Sequence, residues 1–140
     1  MNIRKLSIVL ALTAVLFAML ACSAVNFNTT PTVSNIRMAT DDTGKTTVVS
    51  YSPSQEFFVF ADLSGIKTGS LIEAKWYAVN VQGVDANKEI NTSDYTYENG
   101  VDYVYFKLST SDGSDWPTGT FKVEIYLDGA KVGEQTFTVQ

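Results

Sequence analysis

From Trp116 to Val139 the chain reads as a corner, a strand, a tight turn and a last strand, and this stretch constrains the fold more than any other. Phe121, Val123, Ile125 and Leu127 alternate with Lys122, Glu124 and Tyr126. A period of two sends alternate side chains to opposite faces of a strand, so one face is expected on a core and the other in water. A helix would mix the two sets. Asp128-Gly129 supplies the positive φ that a two-residue hairpin turn needs, and Phe137 and Val139 resume the alternation beyond it.

The same periodicity recurs upstream. Ser34 to Thr40 alternates Ile36 and Met38 with Asn35 and Arg37, and Asp41 to Lys45 turns the chain. Thr46 to Tyr51 is again β-branched, which suits a strand. Glu56 to Leu63 is the most apolar part of the chain beyond its start, with Phe57, Val59, Ala61 and Leu63 on one face, and is expected to be a central strand. Leu71 to Val81 sets Ile72, Ala74, Trp76 and Ala78 against Glu73, Lys75 and Tyr77, making Trp76 the leading core candidate. Val79 and Val81 break that pattern, which a bulge near Asn80 would repair. Between Gln82 and Tyr97 the pattern predicts short polar strands around Lys88 to Asn91 and Tyr95 to Tyr97. Asn99-Gly100 is a turn, and Val101 to Leu108 places Val104, Phe106 and Leu108 inside with Tyr103, Tyr105 and Lys107 outside.

The first residues have the character of an export signal. Arg4 and Lys5 precede an apolar run from Leu6 to Leu20 that is short for a membrane span, and Ala21-Cys22-Ser23 follows at once. Met19-Leu20-Ala21-Cys22 resembles the lipobox of bacterial lipoproteins, with Met19 where that family usually carries Leu or another aliphatic residue. The resemblance implies cleavage before Cys22 and a diacylglycerol on its thiol. Cys22 is the sole cysteine of the chain, so it has no disulfide partner within it. The expected organisation is a signal peptide over 1–21 (helical if retained), a lipidated Cys and short tether over 22–31, and one β domain over 32–140. Loss of 21 of 140 residues leaves 119, enough for one core. Two or three acyl chains on one Cys give a lasting anchor, so an extracytoplasmic protein held on the cell membrane is implied, on the outer membrane if the source has two.

Seven to nine short strands separated by turns are the pattern of an antiparallel β-sandwich. Trp76, and Gly119-Thr-Phe121-Lys-Val123 leading into the penultimate strand, resemble the core Trp and the tyrosine-corner segment of immunoglobulin-like and fibronectin type III-like domains. Phe121 stands where the corner Tyr would be and Val123 where antibody domains have Cys, so the likeness is to disulfide-free bacterial members. The fold expectation is therefore all-β, an immunoglobulin-like sandwich.

Charge and residue inventory narrow the function. Removing Arg4 and Lys5 takes the formal charge from -5 to -7, an acidic balance that disfavours nucleic acid and anionic headgroups as partners. The chain has no His, and its one Cys is taken for lipid, which leaves no donor set for zinc or iron. Asp41-Asp42 and Asp112 to Asp115 are the acidic clusters; turn chemistry explains them, and calcium is the sharper alternative. No paired carboxylates or Ser-Lys arrangement has a known catalytic spacing. The expectation is a non-enzymatic protein without cofactor. Two readings follow: a binding or adhesion module for a protein or glycan, or an accessory lipoprotein of an envelope complex with no ligand of its own. If it binds, the alternation places Tyr77 and Tyr126 together on the outer surface of one sheet, rimmed by Glu73, Lys75, Lys122 and Glu124, and Tyr103 with Tyr105 on the other sheet.

Overall fold

The computed structural model describes residues 29–140, and the signal-peptide segment with Cys22 lies outside them. Eight strands are present: β1 (Thr32–Ala39), β2 (Ser50–Tyr51), β3 (Phe57–Ser64), β4 (Leu71–Val81), β5 (Lys88–Thr96), β6 (Tyr103–Leu108), β7 (Gly119–Leu127) and β8 (Ala130–Val139). They form two sheets, in the order β1-β3-β6 and β2-β8-β7-β4-β5. All pairings are antiparallel except β2 with β8, which is parallel. The fold is an all-β sandwich.

The inward faces follow the alternation. Phe57, Val59, Ala61 and Leu63 of β3 meet Ile72, Ala74, Trp76 and Ala78 of β4, joined by Val104, Phe106 and Leu108 of β6 and Phe121, Val123 and Ile125 of β7. Trp76 is completely buried, with Val123 as its cross-strand partner. Its indole Nε1 has no hydrogen-bond partner, so its burial is carried by ring contacts alone. Phe57 is the hub of the aromatic core: it lies edge-on to Tyr51 and Phe137, and Trp116 stacks on it at 4.7 Å. The turn Asp128-Gly129 takes φ of 49° and 81°, as a primed two-residue turn requires. The break after Ala78 is a register shift against β7 between Ala78 and Asn80.

Two expectations need correction. Thr46 to Tyr51 does not form a full strand: Thr47 makes one isolated bridge to Ala39, and only Ser50 and Tyr51 pair, with β8 of the opposite sheet. The chain crosses from one sheet to the other here, so the β-branched run spans a passage rather than a ladder. The two short strands expected within 82–97 are one strand, β5, interrupted by a bulge: Trp76 pairs with Asn91 and Tyr77 with Glu89, leaving Ile90 as the extra residue. That bulge shifts the pattern by one and makes a single strand read as two.

On one side the sandwich is closed by contact between β1 and β8. The tip of the Ile36 side chain packs over Gly133, where a Cβ would stand 2.4 Å from Ile36 Cδ1 and the methyl would have to move aside. On the other side β5 and β6, the edge strands of opposite sheets, have no strand between them among the described residues.

Candidate functional site

The two outer faces are built differently. On the five-stranded sheet, β4 and β7 are registered so that Glu73 pairs with Tyr126, Lys75 with Glu124 and Tyr77 with Lys122. Lys75, Tyr77, Lys122, Glu124 and Tyr126 contact one another over the sheet. The Lys75 Nζ sits 4.7 Å from the centre of the Tyr126 ring, and the Lys122 Nζ 5.0 Å from that of Tyr77. The Tyr126 hydroxyl donates to Glu124 Oε2 at 2.7 Å, while Lys122 and Lys131 both donate to Glu124 Oε1, at 2.7 and 2.8 Å. Glu124 is thus only 7% exposed.

This corrects its expected place on an exposed rim: three donors and two flanking rings roof it over. Burial alone would raise its carboxyl pKa, but the bonds from Lys122, Lys131 and Tyr126 together outweigh that and hold it down at about 2. The same carboxylate raises the Tyr126 phenol to about 12. Tyr77 and Tyr126 do share this outer face, as expected, but both are half-buried in an ion network and not free platforms.

The outer face of the three-stranded sheet carries a second apolar cluster of Ala39, Phe58 and Phe60. Phe60 is 1% exposed although it points away from the main core. It is covered from several directions. Tyr105, its cross-strand partner, stacks on it at 5.3 Å, Tyr103 stacks at 6.1 Å, and the Arg37 guanidinium lies 5.2 Å from its ring centre. The turn at Gly44 closes the last side: with φ of 63°, its missing Cβ would meet the Phe60 ring at 2.9 Å. Phe60 therefore props an aromatic slab whose outward members, Tyr103 and Tyr105, remain 53% and 43% exposed. The flanking charges are compensated, Arg37 with Asp62 and Lys107 with Glu56, each at 2.8 Å.

Sequence reasoning placed Tyr103 and Tyr105 outside but missed what lies beneath them. Phe58 and Phe60 interrupt the alternation expected of a half-exposed strand, and an apolar run unbroken from Phe57 to Ala61 is the signal of burial on both faces.

The acidic loops are turns. Asp41 Oδ1 accepts from the backbone and hydroxyl of Thr43, and Asp112 Oδ1 accepts from the Ser114 amide at 3.0 Å. These bonds, from the Thr43 side chain foremost in one case and the Ser114 side chain in the other, lower both carboxyls from their ordinary value. Among the described residues no three carboxylates, Cys or His converge on one point.

Fold and faces together define an immunoglobulin-like β-sandwich with an aromatic outer strip. It is similar in structure to an immunoglobulin-like protein of Pseudomonas aeruginosa, with a TM-score of 0.59 and 10% identity over 82% of this chain and 100% of that one. It is also similar to part of the alkylpurine DNA glycosylase AlkC of Pseudomonas fluorescens, bound to DNA with an abasic site analog (TM-score 0.52, 9% identity, 79% of this chain). A third likeness is to part of a β-glucosidase of Listeria innocua in complex with laminaribiose (TM-score 0.50, 11% identity, 79% of this chain). The chain spans 30% of the glycosylase chain and 16% of the β-glucosidase chain, and at such identities these likenesses establish the fold. No protein-family model matches the sequence, and the comparison with curated proteins gave no match.

Proposed function

We propose that this chain is a lipid-anchored envelope protein whose sandwich is a non-catalytic binding or adhesion module for a protein or glycan, and that the binding face is the Tyr103–Tyr105 strip. The carrying observation is the exposure of these two rings, 53% and 43%, on a base made rigid by buried Phe60. Tyr offers a large apolar area and a hydroxyl with little conformational entropy to lose, which suits recognition of protein or sugar surfaces. Because Arg37–Asp62 and Glu56–Lys107 neutralise the flanks, the fitting partner surface is itself without strong charge. Tyr77 and Tyr126, the other pair considered, are engaged with Lys122, Lys75 and Glu124 and support the sheet instead. The anchoring rests on the sequence: a basic start, an apolar run, and Cys22 following Met19-Leu20-Ala21.

The test has two parts. Cys22→Ser is expected to move the protein from the membrane to the soluble extracytoplasmic fraction, and an unmodified Cys22 thiol in the wild-type protein by mass spectrometry would refute the anchor. Crosslinking in intact cells identifies the partner. Tyr103→Ser with Tyr105→Ser should abolish that association, while Tyr77→Ser with Tyr126→Ser leaves it in place, circular dichroism confirming the fold of each. The reverse pattern refutes the assignment of the face.

A further inference from the structure

A sheet edge presents a row of unpaired backbone donors and acceptors, and folded proteins blunt such edges with bulges, charges, proline or extreme shortness. Three of the four edges among the described residues are blunted in this way. β1 has a register shift between Ser34 and Arg37, with Asn35 at φ 49°. β2 is two residues long. β5 has its bulge at Ile90 and carries Lys88, Glu89 and Asp94.

β6 is the least guarded of the four: it has no bulge and no Pro, and its one charge, on Lys107 near the end, is paired with Glu56. Its six residues, Tyr-Val-Tyr-Phe-Lys-Leu, pair with β3 without a register shift and contain no Gly. Beside it lies a hollow of about 550 Å³ lined by Tyr95, Val101 and Val104, so that this edge is open from the side.

We propose that β6 is a homotypic interface: two copies of the chain join their β6 strands antiparallel about a two-fold axis at Tyr105, making one sheet in the order β1-β3-β6-β6-β3-β1. The occupant is a second copy because the strand is complementary to itself in this register. Tyr105 faces Tyr105 of the second copy, Val104 faces Phe106, and Tyr103 faces Lys107, so apolar opposes apolar and no two like charges meet. The molecule already contains the Tyr–Lys pairing in the same cross-strand geometry, where Tyr77 pairs with Lys122 and receives its ammonium 5.0 Å from the ring centre. Joining the two outer faces would also place the Tyr103–Tyr105 strips of both copies side by side. The interface does not depend on any ligand, so its failure and that of the binding face are separable.

The test uses the full chain carrying Cys22→Ser, to remove the native thiol. Single cysteines are introduced at Tyr105 and, as a control on the opposite edge, at Asn91, and treated with a short bis-maleimide. Tyr105→Cys should give a crosslinked dimer and Asn91→Cys none. By light scattering the chain should be dimeric, and Tyr105→Lys, which sets two ammonium groups face to face on the axis, should be monomeric with an unchanged circular dichroism spectrum. A monomer at every concentration, a link through Asn91→Cys in place of Tyr105→Cys, or a Tyr105→Lys chain still dimeric would each overturn the proposal. If Tyr105→Lys does not fold, the crosslinking pair decides alone.

Discussion

Glu124 occupies a position that strand alternation assigns to water, yet two lysines and a tyrosine hydroxyl close over it. Its carboxyl is held near 2, against an ordinary 4.5. A group whose pKa is depressed on folding stabilises the fold above its unfolded value, and that contribution is lost as pH falls toward the folded value. The stability gap between wild type and Glu124→Gln in urea titrations should therefore be largest at neutral pH and close between about pH 4.5 and 2. A gap that does not change over that range would mean that the network is not coupled to folding. Trp76 acts by a different force. Being completely buried with an unbonded indole nitrogen, it contributes through area and packing, and Trp76→Ala should cost about 3–5 kcal/mol, read from the shift in the urea midpoint. A midpoint within experimental scatter of wild type would contradict the packing described for β4.

At the level of the strands, register is set where the backbone cannot tolerate a side chain. Gly119 opens β7 at φ 151°, and a Cβ there would stand 2.5 Å from the Asn80 carbonyl oxygen, next to the register shift between Ala78 and Asn80 of β4. Gly119→Ala should lower stability by more than about 1 kcal/mol, whereas Gly129→Ala, whose Cβ meets nothing within 4 Å, carries backbone strain alone and should cost less. Equal midpoints in thermal melts would reject this ranking. Such contacts explain what was legible beforehand. The facing of β4 and β6 followed from alternation because each has one wet and one dry face, that of β7 followed except at Glu124, and that of β8 at Phe137 and Val139, while Asp128-Gly129 marked its turn by chemistry alone. β5 was misread because one bulge inverts the pattern halfway. β2 fell inside the strand expected over Thr46 to Tyr51, but its two-residue length and its parallel pairing to residues 138 and 139 depend on a contact that no local pattern encodes. For the candidate site, Tyr103 and Tyr105 could be placed outside from their own strand, but their support by Phe60, Arg37 and Gly44 joins three separate segments and emerges only in the fold.

For the molecule as a whole, the two sheets divide the work. The five-stranded sheet is stabilised on its outer face by an ion network, and the three-stranded sheet exposes the aromatic strip and the bulge-free edge of β6. One feature of this arrangement governs the order in which the chain can fold. β8 lies inside its sheet, between β2 and β7, and covers the core with Phe137 and Val139. A chain that emerges N-terminus first, from a ribosome or through a translocation pore, has Trp76 and Phe57 in place long before Phe137 arrives to pack against them. β8 pairs with β7 through a two-residue turn, but the contacts of Phe137 with Trp76 and Phe57 are non-local, and such contacts form slowly because closing the long loop costs entropy before they reward it. The sandwich should thus stay open until β8 is free, and close in one late step. In a stalled-chain series assayed by protease, resistance should appear only once residue 139 has cleared the exit; resistance in chains that end before β8 would show that the core closes without it.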